Sequence, residues 1–248
     1  MDVLEKARER LARLCRRRAV PMQSRITVTC LSPDEAVGAK SAADLGVRTG
    51  VERMIEAKLG VDRGQAFTDQ PSEWTGATEE MLALDLTDVR LRAVFVAGMN
   101  ALLRSLGVAT GTIHCRDEDP TRCGAELTSM LAREFGKLRV GLIGLQPAIL
   151  AALTESFGPD LVRTVDLNPK NIGTEKSSVP VWDGRTDLSR LVDWCELGLA
   201  TGSSIVNGSI NEIIDRFKQV EKPLIFFGNT ISGTAALLGL RRLCPFGR

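Results

Sequence analysis

From residue 138 onward this chain alternates short apolar runs with helical ones, and that alternation limits its fold more than any other feature. LRVGLIG (138–144), LVRTVDL (161–167), ELGLATG (196–202) and KPLIFFG (222–228) read as strands. QPAILAALTESF (146–157), DLSRLVDWC (187–195), SSIVNGSINEIIDRF (203–217) and ISGTAALLGL (231–240) read as helices. Strands this apolar are buried on both faces, and the helices between them act as crossovers. A mostly parallel sheet with helices on both faces and right-handed connections is expected.

The first half is less regular. Residues 2–17 repeat Leu4, Ala7, Leu11 and Leu14 at helical spacing, and Arg16-Arg17-Arg18 suits the negative end of that helix. RITVTC (25–30) alternates as a strand, and Ser32-Pro33-Asp34-Glu35 has the pattern of a helix start. GVERMIEAKLG (50–60) reads as a short helix or a strand–helix junction, and GQAFTDQPSEWTG (64–76) as a long ordered loop. DVRLRAVFVAGMNALLRSL (88–106) is a long apolar helix with Asp88 as its cap and Asn100 on its apolar surface. A buried amide there needs a partner, with a backbone group the favoured one. The expected organisation is α/β: a small N-terminal α+β domain over 1–87 and a Rossmann-like domain over 88–248.

In an open parallel sheet, ligands sit beyond the carboxyl ends of the strands. Gly144 opens the first such loop, although the segment lacks G-x-G-x-x-G and a standard dinucleotide site is poorly supported. Asp166 follows the next strand, where an acid can hold a ribose hydroxyl or form a cap or salt bridge. TGSSIVNGS (201–209) places Thr201, Gly202, Ser203, Ser204 and Asn207 where a strand turns into a helix, an arrangement suited to an anion. Asn229 and Thr230 repeat it after the following strand. One serine serving only as a helix cap is the competing reading.

TIHCRDEDPTRC (112–123) holds the only histidine, His114, with Cys115 beside it and Cys123 eight residues on. Asp119 is expected to cap a helix whose first residue is Pro120, which puts Cys123 in the first turn. There a thiolate is favoured by the dipole, yet Cys123 also shares a face with Leu127, Met130 and Leu131 and could be core. His114 and Cys115 point to opposite faces if extended, so one of them pairing with Cys123 is the better expectation. Cys244 and Asp117 are further donors, and no standard zinc spacing is present.

Composition trims the alternatives. The formal charge is +1, from 32 basic and 31 acidic residues, so no basic field exists to hold nucleic acid. No apolar run reaches membrane-spanning length, about 18 residues. The first residues, MDVLEKARERLARL, are unlike a leader peptide, so a cytoplasmic setting is expected. Its six cysteines are then thiols or ligands rather than a disulfide framework. With no tyrosine, phenol chemistry is excluded.

TIHCRDEDPTRCGAEL, VGLIGLQPAIL, VDLNPKNIG, ATGSSIVNGSINEII and FFGNTISGTAALLGLRRLCPFG together resemble the DUF364 family. EAVG (35–38), GVERMIEA (50–57) and GQAFTD (64–69) resemble the domain that usually precedes it, described as similar to the N-terminal domain of enolase. The resemblance implies heavy-metal chelation, with genomic context pointing towards cofactor biosynthesis under anaerobic conditions. It marks His114, Cys115 and Cys123 as metal ligands, Thr201, Gly202, Ser203 and Asn207 in the serine loop, and Cys244. Thiolate and imidazole suit zinc, nickel, cobalt or copper. A metal or small molecule is the expected ligand, self-association is open, and neither nucleic acid nor membrane is an expected partner. An enzyme acting on a small anionic metabolite or nucleotide in the strand-end crevice, with a cysteine or metal-bound water as nucleophile, is the alternative. A non-catalytic sensor is a third.

Overall fold

The computed structural model describes residues 2–40 and 52–248. Helix α1 (Val3–Arg17) starts where the Asp2 carboxylate accepts the Leu4 and Glu5 amides, and it buries Leu4, Ala7, Leu11 and Cys15. Strand β1 (Arg25–Leu31) leads into α2 (Pro33–Val37), which opens with a capping box between Ser32 and Glu35.

The next two segments correct the expectation. Residues 53–59 are a strand, β2 (Arg53–Leu59), rather than a helix, and Gly50 and Val51 lie outside the described residues. Four consecutive residues, Met54 to Ala57, are buried because both faces of β2 are covered, Met54 packing with Ala36 and Val37 and Ile55 and Ala57 joining the main core. A short run buried all round has no period to tell strand from helix. The segment read as a loop holds strands β3 (Asp62–Thr68) and β4 (Trp74–Ala77). Gln65 and Thr68 of β3 point polar groups inward, which hides the apolar alternation of a strand. With helix α3 (Thr78–Leu82) following, these strands form an antiparallel sheet in the order β3-β2-β1-β4.

Helix α4 (Val89–Ser105) is capped by Asp88 and is buried without interruption from Ala93 to Leu103. A helix apolar on every face must be covered on every face. It packs on β2 and β3 on one side and on residues of the second sheet's helices on the other. A methyl group at Gly64 of β3 would overlap the α4 backbone at Ala97 and Ala101, so strand and helix meet backbone to backbone there.

Helix α5 (Asp119–Phe135) follows. Asp119 is its first residue rather than its cap, because the carboxylate is taken by Arg248 at 2.8 Å and Arg122 at 3.4 Å. Then come β5 (Val140–Ile143), α6 (Pro147–Phe157), β6 (Val162–Asp166), β7 (Glu175–Lys176), β8 (Val179–Asp183), α7 (Leu188–Trp194) and β9 (Leu197–Thr201). Residues 203–217 form two helices, α8 (Ser204–Asn207) and α9 (Ile210–Gln219), instead of the single one expected. Gly208 separates them at φ +86°, in the left-handed conformation that stops a helix. Strand β10 (Leu224–Phe227), α10 (Ser232–Leu238) and β11 (Arg242–Leu243) complete the fold.

The second sheet runs β11-β10-β9-β5-β6-β8-β7, parallel except for the β7–β8 pair. From β5 the chain steps one way to β6, and later returns to place β9 on the other side. The loops after β5 and β9 therefore flank the topological switch point. One continuous apolar cluster joins α1, both sheets and α4, from Leu4 and Ile26 to Phe226 and Ile231.

Candidate metal centre

The segment between α4 and α5 is held by the small sheet. Glu56 of β2, 4% exposed, accepts from Gln65 Nε2 at 2.8 Å. That leaves Gln65 Oε1 to accept the His114 backbone amide at 2.7 Å. The His114 ring stands edge-on to Phe67, with centroids 5.4 Å apart. Its Nδ1 lies 2.5 Å from the Cys115 carbonyl oxygen. A carbonyl can only accept, so Nδ1 carries the proton and Nε2 keeps the lone pair. Burial holds the imidazole below its usual range, with the Cys115 contact and the Cys244 sulfur opposing it. The ring is therefore neutral at pH 7, the form that binds a metal. A backbone carbonyl on the other nitrogen is the usual support of a ligating histidine.

Cys115 is buried, with Sγ 3.9 Å from His114 Nδ1. Cys123, in the first turn of α5, is half-buried. Its pKa is pushed up to about 11, first by the Cys115 contact, against Cys244 and the Phe246 backbone. Cys244 is raised too, first by Cys123 and then by burial, with Arg242 and His114 pulling the other way. Three thiols from separated segments thus perturb one another, and the imidazole lies 3.9 Å from the Cys115 sulfur. Cys123 and Cys244 are held protonated at neutral pH, so a metal would have to displace those protons. Among the described residues, no three His, Cys, Asp or Glu side chains already surround a common point as ligands would.

The crevice residues form a different place. Gly144, at φ +87°, is pressed against Thr201, so the loops after β5 and β9 do adjoin. Asp166 accepts the Leu145 amide at 2.7 Å and the Asn168 amide at 2.6 Å. The Gln146 side chain takes the Ile149 amide at 2.6 Å. Two amides that would greet an anion at the start of α6 are therefore engaged from within. In the serine loop, Thr201 Oγ1 and Ser203 Oγ bond each other at 3.0 Å, and Ser204 Oγ donates to the Thr201 carbonyl at 2.7 Å. The Gly202 amide donates to Phe227. Asn207 accepts from the Ser209 amide and hydroxyl, at the start of α9.

Asn229 and Thr230 are buried at the seam with the small sheet rather than lining that crevice. Thr230 Oγ1 accepts the Phe67 amide at 3.1 Å, and Asn229 Nδ2 approaches Gln65 Oε1 at 3.4 Å. Asn100 takes the backbone role expected of it. Its Nδ2 donates to the Gln65 and Thr230 carbonyls, and its Oδ1 accepts the Gly233 amide at 2.7 Å. Gln65 and Glu56 are invisible to sequence pattern. Both sit in strands whose inward polar groups carry no motif.

The site is a thiol-and-imidazole cluster on a Rossmann-like protein with an appended antiparallel sheet. Residues 127–240, a little under half the chain, match the family model described as "DUF364: Putative heavy-metal chelation". That span contains the crevice loops and stops short of His114, Cys115, Cys123 and Cys244 on both sides. A crystal structure of a protein of unknown function from the DUF364 family of Pyrococcus horikoshii is similar in fold. Its TM-score is 0.54 at 16% identity, covering 92% of this chain and 79% of that one. Another, from Desulfitobacterium hafniense DCB-2, aligns at TM-score 0.48 and 13% identity over 75% of this chain and 72% of that one. No curated protein matches the chain.

Proposed function

We propose that this chain binds a heavy-metal ion through Cys115, Cys123 and His114. The observation that carries the reading is the buried Cys115 sulfur 3.9 Å from an imidazole whose Nδ1 proton is tied to a carbonyl, with the Cys123 thiol perturbed by Cys115. Sulfur and imidazole donors suit zinc, nickel, cobalt or copper and reject magnesium and calcium. The description of the matched family supports the same reading, although its matched residues are not these. A role in metal-cofactor biosynthesis would follow if the ion is passed on.

Catalysis on an anionic metabolite in the crevice is less well supported, because the hydroxyls and amides there already bond one another. The test is elemental analysis of chain purified without a metal-affinity tag. Metal at about one equivalent, lost in Cys123→Ala and in His114→Ala, is the expected result. Metal-free protein that takes up none of these ions on reconstitution sinks the proposal.

A further inference from the structure

Charge is divided unevenly along this chain. Residues 6–25 hold eight basic side chains and one acidic one, whereas residues 64–89 hold six acidic side chains and no basic one. The fold makes these two stretches neighbours. Arg8 of α1 donates to the Leu84 carbonyl at 2.9 Å, the Glu79 amide donates to the Met22 carbonyl, and Gln23 Nε2 donates to Glu79 Oε1 at 2.7 Å. On the opposite flank of α1, Arg10 donates to the Leu237 carbonyl at 2.6 Å. The outward face between these flanks carries Lys6, Arg13, Arg16 and Arg17, all exposed, with Glu9 among them. The helix dipole accounts for cations in the last turn, Arg16 and Arg17, and not for Lys6 and Arg13.

Neither set of charges is neutralised within one copy. Among the described residues, the ion pair on α1 is that of Arg8 with Glu5, and the four outward cations have none. The carboxylates of Glu79, Glu80, Asp85 and Asp88, also exposed, accept from the Gln23 side chain, the Ala77 amide, Thr87 and the Arg90 amide, and from no side-chain cation among those residues. A cationic patch beside an anionic one makes a self-complementary surface. A twofold rotation lays each patch of one copy on the opposite patch of the other, the isologous arrangement of a symmetric dimer. We infer that the outward face of α1 and the acidic stretch 79–88 form the interface of a homodimer, held by charges paired between the two copies. Met22 and Leu84, half-buried at the join of the two patches, are covered in that dimer. A nucleic acid or an anionic membrane fits less well, because the acidic patch beside the cationic one repels it.

The experiment measures the mass of the full chain by light scattering, at about 0.01 M and about 1 M salt, since exposed charges are screened at the higher concentration. A reducing agent keeps the exposed Cys30 from cross-linking copies. The wild type should weigh two chains at the lower salt and one at the higher. Arg13→Glu with Arg17→Glu should be monomeric at the lower salt, and so should Glu79→Lys with Asp85→Lys. Mixed together, these two variants should form a dimer, because each offers the charge that the other lacks. A wild type that is monomeric at both salts, or a dimer indifferent to salt and to both reversals, overturns the inference. So does a mixture that stays monomeric while circular dichroism shows both variants folded. Should a reversal fail to fold, Arg13→Ala with Arg17→Ala takes its place. A dissociation constant raised at least roughly ten-fold at the lower salt then supports the interface, and an unchanged one ends it.

Discussion

One backbone carbonyl orients the His114 ring, and burial lowers its pKa. Because Cys115 O fixes the proton on Nδ1, the imidazole has a defined tautomer before any ligand arrives. Its depressed pKa gives a sign for acid behaviour. The unfolded chain binds the proton more readily, so this stability is present above the ordinary value of 6.5 and is lost as pH falls through the folded value. NMR titration of the metal-free chain, which has one imidazole to follow, should give a midpoint under 6.5. A midpoint above it would mean an unrecognised anion beside the ring. The thiols should differ in the same predictable way. Cys30 is exposed, whereas Cys15 and Cys195 are buried, and burial pushes Cys195 up to about 11. Peptide mapping after timed alkylation should find Cys30 modified first and Cys195 among the last, since the thiolate is the reactive form. The adjacency of His114 and Cys115 was plain in the sequence. Which nitrogen faces which partner was not, because the Cys115 carbonyl direction depends on a segment without regular structure.

At the scale of elements, α4 is the joint. Asn100 closes three backbone groups, from β3, the loop after β10 and the start of α10. Asn100→Ala leaves them buried and unpaired, and should cost roughly 3 kcal/mol in urea unfolding. A loss below about 0.5 kcal/mol would show that water or relaxation replaces the amide. Gly64→Ala should push α4 off β3 and cost on the order of 1–3 kcal/mol, read as a lower urea midpoint at unchanged slope. The parallel strands β5, β6, β9 and β10 were legible because doubly buried strands are apolar throughout. Strands β2 and β3 were not. Glu56 and Gln65 interrupt them with buried polar side chains, satisfied by each other, by the His114 segment and by Asn229. Local pattern cannot report a partner that the fold supplies.

Across the whole molecule, the thiols of the candidate site come from parts that lie far apart in the chain. Cys115 follows α4, Cys123 starts α5, and Cys244 leaves β11 at the sheet's edge. An ion that binds only the folded state should therefore stabilise all of it. At a free concentration 100 times its dissociation constant the gain is about 2.7 kcal/mol. Urea unfolding with and without zinc should show that gain in the wild type, and little of it in Cys123→Ala. An equal gain in both would place the ion elsewhere.

The amino-acid order alone settled the parallel half of the fold, the ends of α1 and α4, and the short list of residues with metal chemistry. All of these depend on neighbours within a few positions, where periodicity, capping and side-chain type act directly. Tertiary structure decided that Asp166 and the serine loop bond inward, that β2 and β3 are strands, and that Asn229 and Thr230 turn from the crevice to the small sheet. Those outcomes depend on which distant segments the folded sheets bring into contact, and contact between distant segments leaves no spacing in the chain to read.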